Sequence, residues 1–256
     1  MALLVESVCG FLRYKVFDTR EAMGACAGSE AAAKLKELLR EKEEVNVMFA
    51  AAPSQNETLQ TLMADPEIEW ERVNGFHMDE YVGLDENHPA GFRNFLKNAV
   101  FSKKNFKSVN LINGNADDPE KEAERYSALL KSHPLDICVL GVGENGHIAF
   151  NDPAVAEFHD AKLAKVVELD ERCRMQQVHD GCFAELKEVP THALTVTIPG
   201  LCAAKWMYCS VPAATKRAAV RATLCGEIGP EVPATVMRRH PDAALYCDPD
   251  SAADFL

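Results

Sequence analysis

The chain reads as an α/β protein built on a mainly parallel sheet with helices on both faces. Three observations lead there. Apolar runs of strand length alternate with helical stretches from one end to the other. Residues 135–140, closed off by Pro134 and Gly141, are apolar without alternation, as a strand buried on both faces must be. Polar residues then gather where such runs stop, and in open α/β sheets the carboxyl ends of strands are where ligands bind.

Taken in order, residues 12–17 alternate like an edge strand, and Asp18-Thr19 supplies an N-cap for a helix running to about Glu44. Its 29–42 portion is rich in strong helix formers. Residues 45–52 form a buried strand that opens into Ser54, with Glu57 three residues on as in a capping box, so a helix starts there. A third strand spans 70–78 and ends in Asp79-Glu80-Tyr81. Helix is expected at 90–99 and 119–132, with a short strand at 109–112 between them. After the central strand, further strands are expected at 165–169, 193–198, 206–211 and 243–247, and helices at 172–182, 216–225 and 232–239. No segment is long or polar enough to act as a linker, so residues 1–256 are read as one domain.

Composition narrows the function. A formal net charge of -12, with no basic block, argues against nucleic-acid or anionic-membrane partners. No run reaches membrane-span length, and the start lacks the basic region of an export signal. Nine cysteines without a CxxC pair fit the reduced thiols of a cytoplasmic protein. The histidines show no HxxxH or HxH spacing, so no metal site is expected. Trp70 and Trp206 flank strands and read as core.

The chemistry-bearing stretch follows the central strand: Gly141-Val142-Gly143-Glu144-Asn145-Gly146-His147, with Asp152 five residues further on. Glycines let the backbone turn sharply and approach a ligand, and an imidazole paired with a carboxylate can serve as an oriented acid or base. A helix-capping histidine in a glycine-rich turn accounts for the pattern equally well. Gly141, Gly143 and Gly146 superficially spell a dinucleotide fingerprint, but the motif lies mid-chain with a histidine directly after the third glycine. Other strand ends carry Ser54 and Gln55, Asp79 and Glu80, and Thr215 and Lys216. Asp79 and Glu80 suit a base and a substituent-binding group, or simply an acidic turn. Lys216 begins a helix, where a cation is disfavoured unless it faces an anion. If the strands are parallel, all these groups converge on one edge.

With residues 76–84 (Phe-His-Met-Asp-Glu-Tyr-Val-Gly-Leu) and 141–153 in one chain, the sequence resembles the glucosamine-6-phosphate deaminase (isomerase) family, whose fold is shared with 6-phosphogluconolactonases. Residues 109–116, residues 189–196 and His240-Pro241 support the likeness, which extends over roughly residues 40–250. The resemblance implies a Rossmann-like fold and conversion of an amino-sugar phosphate to a ketose phosphate plus ammonia, with no metal or redox cofactor. By position, Asp79 resembles the base that moves a proton between C2 and C1, and His147 the acid/base that opens the ring. Asp152 stands where the family usually has a longer glutamate, and Asn145 where it often has aspartate. Ser54 matches the last threonine of a Thr-Gly-Gly-Thr phosphate loop that here reads Ala51-Ala52-Pro53-Ser54; Gln55 follows it, Gly143 and Gly146 line the substrate loop, and Lys216 matches the phosphate lysine. For the phosphate arginine, Arg172 and Arg174 are the candidates. A lactonase, a deaminase for the galactosamine epimer and a non-catalytic sugar-phosphate sensor are the rival readings, and self-association is left open. The chain stops short of the tail that completes the family's allosteric site, so activation through that site is not expected.

Overall fold

The structure, a computed structural model, describes residues 2–256. Its main layer is an eight-stranded sheet formed by β1 (Leu3–Cys9), β2 (Leu12–Phe17), β3 (Val45–Phe49), β4 (Val73–His77), β6 (Ser108–Asn110), β7 (Ile137–Leu140), β10 (Trp206–Val211) and β11 (Ala243–Cys247). The strand order is β1-β2-β11-β10-β7-β3-β4-β6. Every pairing is parallel except that of the β1–β2 hairpin.

The unalternating apolar strands serve two cores at once. Val47, Phe49, Ile137 and Val139 face one layer with α1 (Arg20–Glu41), α2 (Asn56–Ala64) and α3 (Phe92–Leu96). Met48, Cys138 and Leu140 face the other with α4 (Pro119–Ser132), α6 (Ile198–Cys202) and α7 (Arg217–Cys225). Successive side chains of a strand point to opposite faces, so a strand covered on both sides has no polar side to show. Among the described residues no helix is long and apolar enough to cross a membrane.

Several expectations are corrected. The strands near 165–169 and 193–198 exist, as β8 (Ala164–Glu168) and β9 (His192–Val196), but they leave the main sheet and form an antiparallel trio with β5 (Asp79–Tyr81), ordered β5-β9-β8. Residues 12–17 are not the edge, because β1 pairs outside them. The third strand begins only at Val73, after a 3-10 turn at Trp70–Arg72. The stretch 90–99 is a short α3 continued by a π turn, and 232–239 is a 3-10 helix at Pro233–Arg239. The α1 cap does fall in the expected Asp18-Thr19 pair: Thr19 Oγ1 accepts the Ala22 amide at 3.1 Å. The capping box does not form: Glu57 pairs with Arg20 at 2.9 Å, while Ser54 sits in a 3-10 turn at Pro53–Gln55. A guanidinium within reach outcompetes a backbone amide for that carboxylate.

His77, inside the 76–84 motif, is structural. It is fully buried, its Nε2 accepts the Ile112 amide at 2.7 Å, and burial, with Arg93 nearby, pushes its pKa down to about 3. Tyr126 from α4 donates its hydroxyl to the His77 carbonyl at 2.7 Å and accepts the His77 amide. These bonds pin the end of β4, where the chain is about to change sheets.

α1 packs on α2 through bare backbone. A Cβ on Gly24 would lie 2.3 Å from Glu57 Cβ, and one on Gly28 2.6 Å from the Thr58 carbonyl oxygen. The first turn of α2 follows directly from Ser54 and Gln55, so this contact sets where that turn stands. Gly28→Ala is expected to cost about 1–3 kcal/mol through overpacking, read as a lower urea midpoint with unchanged slope.

Candidate active site

The carboxyl ends of β3, β4, β7 and β10 lie side by side, because these four strands are parallel and contiguous. The segments leaving them line one cavity: Ser54 and Gln55 after β3, Asp79 after β4, Gly143 and His147 after β7, and Lys216 after β10. Pro89, Phe92, Phe95 and Phe150 add apolar surface to the same cavity.

Asp79 reaches the cavity because the chain steps from one sheet to the other just before it. Met78 gives its carbonyl to the Val196 amide at 2.7 Å, and Asp79 opens β5 against β9. Its carboxyl is buried and has no hydrogen bond or ion pair among the described residues. Burial, and after it the charge of Glu80, raises its pKa well above the usual carboxylate range. Glu80 points the other way, as alternate residues of a strand must. It accepts the amides of Tyr81, Phe92 and Arg93 at 3.0, 3.1 and 2.9 Å and so holds the N-terminus of α3, with Arg93 Nε 3.6 Å away. Glu80 is therefore not part of the cavity lining, contrary to its expected role as a substituent-binding group.

The His147 loop is held from three sides. The imidazole lies flat over Gly143: a Cβ there would be 2.2–2.5 Å from its ring atoms. Gly146 adopts φ +87° and abuts Val232; it shapes the turn without lining the cavity. Asn145 Oδ1 accepts the His147 amide at 3.0 Å, and Asn145 Nδ2 donates to Asp152 Oδ1 at 2.8 Å. Asp152 Oδ1 also lies 2.9 Å from His147 Nδ1, close in distance but off the N–H axis, so the contact is electrostatic more than a straight hydrogen bond. Burial would raise the Asp152 pKa, but His147, Asn145 and the Cys173 thiol together hold it below the ordinary value. Asn145 and Asp152 thus stand behind the imidazole, and His147 Nε2 has no protein partner among the described residues. Beyond the ring, Ala149 takes φ 50°, and the Phe150 amide donates to Thr195 Oγ1 at 3.0 Å. A second non-glycine at positive φ, Ala213 at 82°, precedes the Lys216 turn. Such strain is expected where surrounding structure over-determines a functional loop.

At the other end, Gln55 Nε2 donates to Ser54 Oγ at 3.1 Å and to the Ser210 carbonyl at 3.0 Å. The Ser54 oxygen is thereby used as an acceptor, and its hydroxyl proton is left for a ligand. Lys216 is buried at the start of α7, has no ion pair among the described residues, and has its pKa lowered chiefly by burial. Neither arginine candidate reaches this end. Arg172 donates to the Glu144 carbonyl, and Arg174 to the carbonyls of Leu186 and Val189. From the same helix, α5 (Glu171–His179), the cavity instead receives Gln176 and Gln177, followed by Asp180 and Cys182. None of these four stands out in the sequence, since isolated glutamines in a helix carry no spacing signal.

His147, Asp152 and Cys173 bring potential ligand atoms within 4.8 Å of one another, and they are the described residues best placed to hold a metal. Burial, with Asp152 beside it, raises the Cys173 pKa and keeps the thiol protonated, which disfavours thiolate ligation.

A parallel sheet whose strand ends deliver a free carboxyl, a backed imidazole and a buried ammonium to one cavity defines an α/β protein for small polar ligands. Comparison with known proteins gives the family. The model for glucosamine-6-phosphate isomerases/6-phosphogluconolactonase matches residues 18–246, and the chain belongs to that family. Glucosamine-6-phosphate deaminase of Listeria monocytogenes serotype 4a (strain HCC23) is 35% identical over 227 residues, covering 89% of this chain and 95% of its own. The enzyme of the same name from Streptococcus sanguinis (strain SK36) is 31% identical over 217 residues, 84% and 90% of the two chains. A monomeric glucosamine-6-phosphate deaminase of known structure superposes with TM-score 0.84 at 28% identity, covering 94% of this chain and 98% of its own. The 6-phosphogluconolactonase of Thermotoga maritima shares the fold, at TM-score 0.73 and 18% identity over 92% of this chain and 98% of its own.

Two outcomes follow from the geometry. Gly143→Ala is expected to displace the imidazole and cut turnover by about 100-fold with thermal stability largely kept, as assayed by initial rate and melting temperature. Asp79→Asn is expected to raise stability at neutral pH. A proton affinity raised by folding means the folded state binds more protons, so wild-type stability falls as pH climbs from the unfolded carboxylate pKa of about 3.9 through the raised folded value. The melting-temperature gap between variant and wild type should therefore be small below about pH 4 and widen towards pH 7.

Proposed function

We propose that the chain converts glucosamine 6-phosphate and water to fructose 6-phosphate and ammonia. The observation that carries this is the shared cavity of Asp79 and His147, two groups from different strand ends. A proton α to a carbonyl is acidic enough for a carboxylate base once a second group manages the oxygen-bound proton. In this reading His147 Nε2 passes a proton between the anomeric hydroxyl and the ring oxygen, opening the pyranose to the aldehyde. Asp79 then takes the proton from C2 and returns it to C1, leaving an imine at C2 that water hydrolyses to the ketone and ammonia. Each proton removed is given back, so no redox partner enters.

An unpaired, buried carboxyl suits proton abstraction from carbon. It faces the substrate in place of solvent, and its raised proton affinity makes it a stronger base than an exposed aspartate. Asp152 and Asn145 orient the imidazole, and Ser54, Gln55, Gln177 and Lys216 hold the phosphate end against the N-termini of α2 and α7. The nine cysteines, all unpaired, suit a cytoplasmic enzyme.

Ammonia release from glucosamine 6-phosphate, coupled to detection of fructose 6-phosphate, is the test. Wild type is expected to be active, and Asp79→Asn to lose about 1,000-fold or more in kcat while still binding the sugar. A protein that opens 6-phosphogluconolactone but frees no ammonia would instead be the hydrolase of this scaffold, and full activity in the variant would remove Asp79 from the chemistry.

A further inference from the structure

The phosphate end carries a carboxylate for which the reaction has no use. Asp180 lines the cavity together with Lys216, which is the sole lysine or arginine among the described residues lining it. The Asp180 carboxylate is held there by Gln176, whose Nε2 donates to Oδ2 at 3.3 Å while its Oε1 accepts the Glu144 amide at 2.8 Å. Gln176 is thus committed on both sides, and Gln177 makes no side-chain hydrogen bond within the described protein. Arg172 and Arg174, spent on backbone carbonyls, add no charge.

Resting on the proposed function, we propose that Asp180 is a specificity-determining residue that offsets Lys216 and so sets how weakly this end of the cavity holds the substrate's phosphate relative to the rest of the sugar. The charge balance argues it. Two helix N-termini contribute about half a positive charge each, Lys216 adds one and Asp180 removes one, leaving about one net positive charge facing the ligand. A phosphate ester carries close to two negative charges at neutral pH, its second pKa being about 6. A second cation in place of the acid would match it; this chain offers amides and a carboxylate. The Coulombic pull of Asp180 on Lys216 exceeds that of Glu144, which makes Asp180 the stronger counter-charge at the ammonium.

Asp180→Asn keeps size and the Gln176 contact while removing the charge. Because the Asp180 carboxylate is solvent-exposed, the substitution is expected to lower KM for glucosamine 6-phosphate about threefold at low ionic strength, more than it changes kcat, and to leave KM for unphosphorylated glucosamine where it was. Calorimetric titration with inorganic phosphate should show the same tightening, and the gain should shrink in about 0.5 M salt. Equal phosphate affinity in the two proteins, or equal shifts in KM for both sugars, would overturn the assignment. The phosphate titration needs no turnover, so a wild type that frees no ammonia would sink the proposed function while still deciding the role of Asp180. Asp180→Ala serves as a second variant with the same expected direction.

Discussion

A carboxyl buried without a partner among the described residues is the constraint around which this molecule is arranged. Asp79 would be better solvated almost anywhere else, and its raised proton affinity records the cost. What keeps it in place is the change of sheet at Met78, fixed by the Val196 amide on one side and the His77–Tyr126–Ile112 bonds on the other. Glu80, one residue on, contributes by facing away and capping α3, whose Phe92 lines the same cavity as the acid. Hydrophobic layers on both faces of the sheet make these positions rigid enough to tolerate the isolated charge.

Much of this is legible in the sequence because it rests on local pattern. Apolar runs at 47–49 and 137–140 mark strands covered on both faces, and parallel strands put their carboxyl ends on one edge. That is why Ser54, Asp79, His147 and Lys216 can be grouped from the order of residues alone. The second sheet is not legible: β5 spans only Asp79–Tyr81, and nothing in three residues says whether they continue β4 or pair elsewhere. Glu80 is misplaced by sequence reasoning for that reason, since its side depends on the pleat of a strand that pattern alone does not reveal. The capping box at Ser54 fails through a tertiary contact, Arg20 reaching Glu57 from 37 residues away. Gln176, Gln177 and Asp180 are invisible in the sequence because their meaning comes only from the direction in which α5 and the turn that ends it present them.

Membership in the glucosamine-6-phosphate isomerase/6-phosphogluconolactonase family and the likeness to deaminases rest on the whole chain, while the two ends of the cavity differ in the groups they present. On the His147 side, Asp152 Oδ1 comes within 2.9 Å of His147 Nδ1 and also accepts from Asn145 Nδ2, with the Cys173 thiol beside the same carboxylate. On the Lys216 side a proline stands in the loop, Arg172 and Arg174 are spent on backbone carbonyls, and Asp180 shares the lining with the one lysine found there among the described residues.

The most direct test of the central claim is the titration of the Asp79 carboxyl itself, followed by ¹³C NMR in aspartate-labelled protein and assigned by the resonance lost in Asp79→Asn. The account predicts a midpoint well above the ordinary aspartate value of about 3.9, with the signal perturbed when glucosamine 6-phosphate is added. A midpoint at the ordinary value, indifferent to the sugar, would contradict it.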